Sequence, residues 1–161
     1  MKHLLIALLT AFSLQVFAQV ETPKETPQLE FAMQLKVTIG EAYSCGETQH
    51  GERIVIPITG GTFEGPKLKG TILNGGADYQ LVNKALSRTE LEAIYCIKTD
   101  DGINIHVRNK GIIADGYFKC APQFEAPADS KYAWLNNALF VCSPDWTQGF
   151  QGIVLNVWMV K

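Results

Sequence analysis

Apolar and polar residues alternate most regularly from Leu29 onward: Leu29, Phe31, Met33, Leu35, Val37 and Ile39 are interleaved with Glu30, Ala32, Gln34, Lys36 and Thr38. A period of two sends successive side chains to opposite faces of an extended chain, so this segment reads as a strand with one buried face. Further β-type runs follow at 53–59, 67–73, 78–82, 89–98, 102–109, 116–121, 138–142 and 152–160. Turn residues punctuate them: Gly60-Gly61, Gly65-Pro66, Asn74-Gly75-Gly76, Asp100-Asp101-Gly102, Asn109-Lys110-Gly111 and Ser143-Pro144-Asp145. These supply the positive or fixed φ that tight reversals need. Only 84–88 and 130–137 lack both signals, and each is long enough for one or two helical turns at most.

Strands without crossover helices predict an all-β fold. A single antiparallel up-and-down β-barrel of calycin type is favoured over an open sandwich, because closure removes the exposed edges that invite aggregation. The first run (29–39) and the last (152–160) are both long enough to meet at the seam.

The N-terminal residues change the picture of where the chain works. Met1-Lys2-His3 is a basic start, Leu4 to Phe12 is almost wholly apolar, and Val16-Phe17-Ala18 places small residues at a cleavage point. Residues 1–18 therefore read as a secretion signal, with the mature chain starting at Gln19 and destined for the periplasm or the exterior. Ser13 and Gln15 break the apolar run well short of the roughly 20 residues that span a bilayer, so no stable membrane insertion is expected after cleavage. Residues 19–28, with two prolines among polar residues, form an extended lead-in, and 29–161 form one barrel domain. With 47% hydrophobic and 19% charged residues and a formal charge of -2, the chain has a globular composition and no basic footprint for nucleic acid.

Export makes disulfides the default for Cys45, Cys96, Cys120 and Cys142, whose spacings match no zinc pattern. If the first and last strands are neighbours, the end of the first meets the loop before the last, and Cys45 approaches Cys142. Cys96 and Cys120 fall on strands two apart, roughly 9 to 10 Å, too far for a bridge.

Several blocks in register resemble domain-of-unknown-function family 3237: Ile56-Pro57-Ile58-Thr59-Gly60-Gly61-Thr62-Phe63-Glu64-Gly65-Pro66, Lys69-Gly70, Gly75-Gly76-Ala77-Asp78, Thr99-Asp100-Asp101-Gly102, Arg108-Asn109-Lys110-Gly111, Gly116-Tyr117-Phe118 and Tyr132-Ala133-Trp134-Leu135-Asn136. The resemblance covers about Leu29 to Lys161 and implies a small antiparallel barrel, lipocalin-like or like allene oxide cyclase, without implying a reaction. The sequence departs from the family pattern at Ile94, where an Arg is expected before Tyr95, and at His106, where a Tyr is more usual.

Candidate chemistry follows from strand parity. Asp78 and Gln80, Glu92, and Asn104, His106 and Arg108 lie opposite the aliphatic positions of their own strands. If that face lines the lumen, Asp78 or Glu92 is a general base, His106 its acid partner and Arg108 the holder of an anionic group, with Gln80, Asn104 and Tyr95 as ligand contacts. The alternative is that the polar face meets solvent and the aliphatic face is core. Trp134 either caps the barrel over a ligand or plugs its end, and Trp146 and Phe150 lie in a polar loop (144–152) that has the look of a flap. His50 sits in a Gly-rich polar loop, 46–52. Gly60 to Pro66 lacks the Lys-Ser or Lys-Thr of a phosphate loop, and Asp100-Asp101 lacks the remaining ligands of a calcium loop. No metal or cofactor motif is present.

Three functions remain open on sequence alone. One is an acid/base isomerase, cyclase or lyase acting on a small apolar or anionic molecule in the lumen. The second is a non-catalytic carrier or sensor of such a molecule. The third is a structural, envelope-associated protein with a filled barrel.

Overall fold

A computed structural model describes residues 25–145 and 150–161. The expected signal at 1–18, most of the lead-in and Trp146 lie outside the described residues. Among the described residues ten strands are present: β1 (Leu29–Ile39), β2 (Tyr43–Thr48), β3 (Gly51–Glu64), β4 (Lys69–Ile72), β5 (Gly76–Asn83), β6 (Arg88–Thr99), β7 (Asn104–Ala114), β8 (Tyr117–Glu125), β9 (Phe140–Asp145) and β10 (Ile153–Val160). Among the same residues the helical content is two 3-10 turns, Lys84–Leu86 and Ala133–Asn137, in the two segments that lack strand signals.

The strands close into an antiparallel barrel with eight lanes. β1 pairs β10 along its length, from Leu29 opposite Val160 to Val37 opposite Ile153, as the lengths of these two runs predict. On its other side β1 pairs β3, with Leu35 opposite Phe63 and Val37 opposite Gly61. β4 and β5 share one lane, each lying between β3 and β6 and interrupted at Leu73–Gly75. The β8–β9 seam is the thinnest, with Cys120 opposite Cys142 as its one register pair among the described residues.

Two features depart from the alternation pattern. A bulge between Phe31 and Met33 resets β1, so Leu29 and Phe31 point outward, Phe31 edge-on to Trp158 at 6.4 Å. The segment read as a polar loop is instead a hairpin arm, β2 paired with β3 and turning at Gln49–His50. Every residue of β2 is exposed, so the strand has no apolar face and leaves no period-two trace.

One half of the lumen is solid. Met33, Leu35, Phe63, Ile72, Ile97, Ile105, Phe124, Phe140 and Val157 fill it. The 3-10 turn at Ala133–Asn137 stoppers that end with Leu135 fully buried. Asn136 ties the stopper down, accepting from the Ala126 amide at 2.7 Å and donating to the Ala126 carbonyl at 2.9 Å. The Asp100–Gly102 turn contributes a second clasp: Asp101 Oδ1 accepts from the hydroxyls of Thr99 (2.6 Å) and Tyr132 (2.8 Å), and Oδ2 meets Lys131 at 2.8 Å. Lys131, Thr99 and Tyr132 together hold the Asp101 carboxyl well below the usual range.

Ring closure requires a close crossing at Gly61, where φ is +132° and any Cβ would overlap the Lys36 carbonyl oxygen. Gly61→Ala combines a backbone conformation costly for L residues with that overlap, and should lower unfolding free energy by more than about 2 kcal/mol. Urea denaturation checks this, and an unchanged midpoint would mean that β1 and β3 do not approach as described.

Candidate functional site

The other half of the barrel is hollow. A cavity of about 180 Å³ lies among residues of β1, β3, β5, β6, β7 and β8 and the start of β10. Ile39, Ile56, Ile113, Phe118 and Ile153 are among its lining residues, along with Val37, Ile58, Leu91, Ala93 and Leu155. Into this apolar wall are set Asp78, Gln80, Tyr95, Asn109 and Cys120. At this size the cavity has room for no more than a compact molecule, being smaller than the roughly 300 Å³ lower bound of sites for drug-sized ligands.

Asp78 is brought there by the β5 hairpin pairings: it lies opposite Ile56 on β3 and Ala93 on β6, both lumen-facing. Its Oδ2 accepts from Gln80 Nε2 at 2.8 Å, which fixes the carboxyl's orientation. Its Oδ1 is buried and has no protein partner among the described residues. Burial raises the Asp78 pKa, opposed in part by Gln80 and by the Glu92 backbone amide, so protonation extends above the ordinary aspartate range. The Tyr95 hydroxyl is the second buried polar atom of the cavity wall without a partner. Burial, reinforced by the neighbouring Cys142 and Cys120 thiols, pushes its pKa well above that of a free phenol, so it stays an O–H donor.

Deeper in the wall, the carboxamide of Asn109 reaches Cys142 Sγ through both its nitrogen (3.7 Å) and its oxygen (3.8 Å). Cys120 stands opposite Cys142 and lines the cavity, whereas Cys142 lies behind it, 1% exposed. Hydrogen bonds from Cys142 and Asn109 lower the Cys120 pKa against the cost of burial, while the same pairing and burial push Cys142 up.

The polar residues grouped by parity do not share a face. Asp78 and Gln80 line the lumen, but Glu92 lies opposite outward-facing Tyr79, and Asn104, His106 and Arg108 alternate with buried Ile105, Val107 and Asn109. Glu92 and Arg108 form an external ion pair at 2.5 Å, and His106 faces Glu125 at 3.8 Å on the same outer surface. Parity within a strand is fixed by the pleat, but which parities match between strands depends on the hairpin register, and that register sets Asp78 against Ala93 rather than Glu92. The two family departures, Ile94 and His106, lie on this outer face, between inward-facing neighbours. Of the expected ligand residues, Gln80 and Tyr95 reach the cavity. Trp134 sits at the plugged end, against Phe140 and beneath Lys67, and does not line it.

The expected Cys45–Cys142 bridge is not formed, and all four cysteines are free thiols. The end of β1 does meet the start of β10, but Cys142 pairs Val157 in the middle of β10, deep in the barrel, while Cys45 is carried outward on the β2 arm. Cys96 and Cys120 are separated by β7, as expected. Sequence reasoning missed Asn109 and Cys120 as site residues. Asn109 was read as a turn, whereas β7 runs on to Ala114; inward parity continued past Val107 would have found it. Among the described residues no group of three His, Cys, Asp or Glu side chains is placed to hold a metal ion.

Fold and site together define a closed antiparallel barrel that is half core and half small-molecule-sized cavity. The family model described as "Protein of unknown function (DUF3237)" matches residues 27–114 and 113–160, and the chain belongs to this family. A protein of Rhodopseudomonas palustris is 36% identical over 138 residues, covering 73% of this chain and 89% of the relative. A crystal structure of a conserved protein of unknown function from that organism has a TM-score of 0.78 at 32% identity, covering 87% of this chain and 100% of that one. A β-barrel like protein of Acinetobacter baumannii gives 0.76, also at 32% identity, over 88% of this chain and 100% of the other. The hydroalkoxylation enzyme phnH of Penicillium herquei is 32% identical over 138 residues, 85% of each chain. A solved enzyme from Penicillium herquei has a TM-score of 0.71 at 26% identity, covering 88% of this chain and 100% of that one.

The raised Asp78 pKa has a stability consequence. The unfolded chain ionises at the ordinary aspartate value while the folded chain still holds its proton, so Asp78 costs the fold stability as pH rises through the folded pKa. Asp78→Asn cannot ionise and escapes this cost. In urea denaturations between about pH 4 and about pH 7, the stability of Asp78→Asn relative to wild type should climb with pH. A pH-independent difference would contradict the buried placement of the carboxyl.

Proposed function

We propose that the chain is a small-molecule enzyme of acid–base type, binding a compact, largely apolar, oxygen-bearing substrate in the open half of the lumen and moving a proton with Asp78. The observation that carries this reading is the Asp78 carboxyl itself: set in the cavity wall, buried, raised in pKa, held by Gln80 on one oxygen and left without a hydrogen-bond partner among the described residues on the other. A buried polar atom left unpaired costs about 1–3 kcal/mol, a cost that a substrate hydroxyl or carbonyl at Asp78 Oδ1 and Tyr95 would relieve. Among the described residues the cavity lining contains no Lys or Arg, which favours a neutral over an anionic substrate.

The relative named as a hydroalkoxylation enzyme suggests a reaction class. Hydroalkoxylation adds an O–H across a C=C bond: a proton goes to one carbon, oxygen bonds to its neighbour, and the hydroxyl proton is lost. Protonated Asp78 delivers the first proton through Oδ1, the substrate hydroxyl closes the new C–O bond, and the carboxylate recovers the proton that oxygen releases. Tyr95 orients the substrate oxygen by donating a hydrogen bond. The carboxyl ends as it began, so no cofactor enters the balance.

The test is a panel of compact hydroxyl-bearing alkenes, with binding read by thermal shift and cyclic ether products, which are isomers of the substrates, by NMR. Asp78→Asn should reduce turnover about 10²- to 10⁴-fold while retaining the ligand-induced shift. Glu92→Gln, on the outer face, should leave turnover intact and alter stability by no more than about 1 kcal/mol. Full turnover in Asp78→Asn would sink the reading, and binding throughout the panel without turnover in wild type would favour a carrier.

A further inference from the structure

We propose that Cys120 and Cys142 form a peroxide-reactive dithiol in the lumen wall, in which Cys120 is oxidised first and Cys142 then closes a disulfide across the β8–β9 seam. Three observations converge on it. The two residues are directly opposed on antiparallel strands, which sets their Cα atoms about 4.5–5.5 Å apart, inside the 4.4–6.8 Å span of disulfides. They are unequal in access: Cys120 lines the cavity and Cys142 is sealed behind it. They are also unequal in chemistry, since Asn109 engages the Cys142 sulfur and the hydrogen bonds at the pair favour a thiolate on Cys120.

Space beside Cys120 is kept by Gly111, its register partner on β7, where a Cβ would stand 3.2 Å from Cys120 Cβ and 3.0 Å from a Leu91 methyl. A small oxidant entering the cavity thus meets Cys120 before Cys142. The Cys120 thiolate attacks one oxygen of hydrogen peroxide; an S–O bond forms, the O–O bond breaks, and hydroxide leaves to become water on taking up a proton. Cys142 then gives up its proton and its sulfur attacks Cys120 Sγ; the S–S bond forms, the S–O bond breaks, and a second water departs. Two thiols are oxidised by two electrons in total and one peroxide is reduced to two waters.

The consequence is mechanical. β8 and β9 share this one register pair among the described residues, supplemented by Lys119 Nζ donating to Ser143 Oγ at 2.9 Å. A bond here staples the thinnest seam of the ring and removes a thiol from the cavity wall. None of this depends on turnover at Asp78.

The experiment treats the reduced wild-type chain with hydrogen peroxide and maps peptides without reduction. The expected product is a Cys120–Cys142 linked peptide, with both thiols lost together and a higher Tm that reverts on adding dithiothreitol. In Cys142→Ser, dimedone should capture a sulfenic acid at Cys120 at least about tenfold faster than at Cys142 in Cys120→Ser. Recovery of Cys120 and Cys142 as thiols while Cys45 or Cys96 is oxidised would overturn the proposal in the wild-type chain, without reliance on either variant. So would equal dimedone labelling in the two variants.

Discussion

Closure of the ring through β1 is the constraint on which the rest of the structure depends. β1 pairs with β10 on one side and β3 on the other, so the first strand of the domain holds both its last strand and its longest one. With the edges consumed, every inward side chain must either pack against others or border a void. Gly61 permits the β1–β3 crossing, and the bulge after Phe31 reorients the start of β1 so that Met33, Leu35 and Val37 all face inward. Without that closure the alternation would describe a sheet with a greasy face, not a lumen.

Inside the ring, the two halves follow different rules. The half stoppered by Leu135 is filled by aliphatic and aromatic side chains, and its clasps at Asn136 and Asp101 sit at the rim where their polar atoms are partnered. The hollow half carries polar groups in its wall, and Asp78 Oδ1 and the Tyr95 hydroxyl are the members without a partner among the described residues. The same low-polarity surroundings raise the pKa values of Asp78 and Tyr95 alike, so the wall favours the protonated form of each over the charged one.

How much of this was legible in the sequence follows from what a strand encodes. Alternation over Leu29–Ile39 and the length of the last run were enough to foresee the β1–β10 pairing, because burial on one face leaves a periodic trace. Asp78, Gln80 and Tyr95 stand out in the sequence as candidates and all three reach the cavity wall, although their parities put Asp78 and Tyr95 on opposite faces. Glu92, His106 and Arg108 were grouped with Asp78 because each alternates correctly within its own strand. Matching parities between strands is a property of register, set by the turn at Lys84–Ser87 and by the β6–β7 pairing, and no single strand records it. β2 left no trace because it buries nothing. The Cys120–Cys142 opposition was hidden for a related reason: residues 126–139 intervene between β8 and β9, and a connection of that length fixes no alignment.

The stopper shuts one end of the barrel, so nothing can pass straight through the lumen from end to end. On the reading proposed above, a guest that leaves by the way it came blocks its successor, and a long chain cannot thread through to be worked on link by link. Such a vessel would handle discrete molecules one at a time, with the release of one guest the precondition for admitting the next.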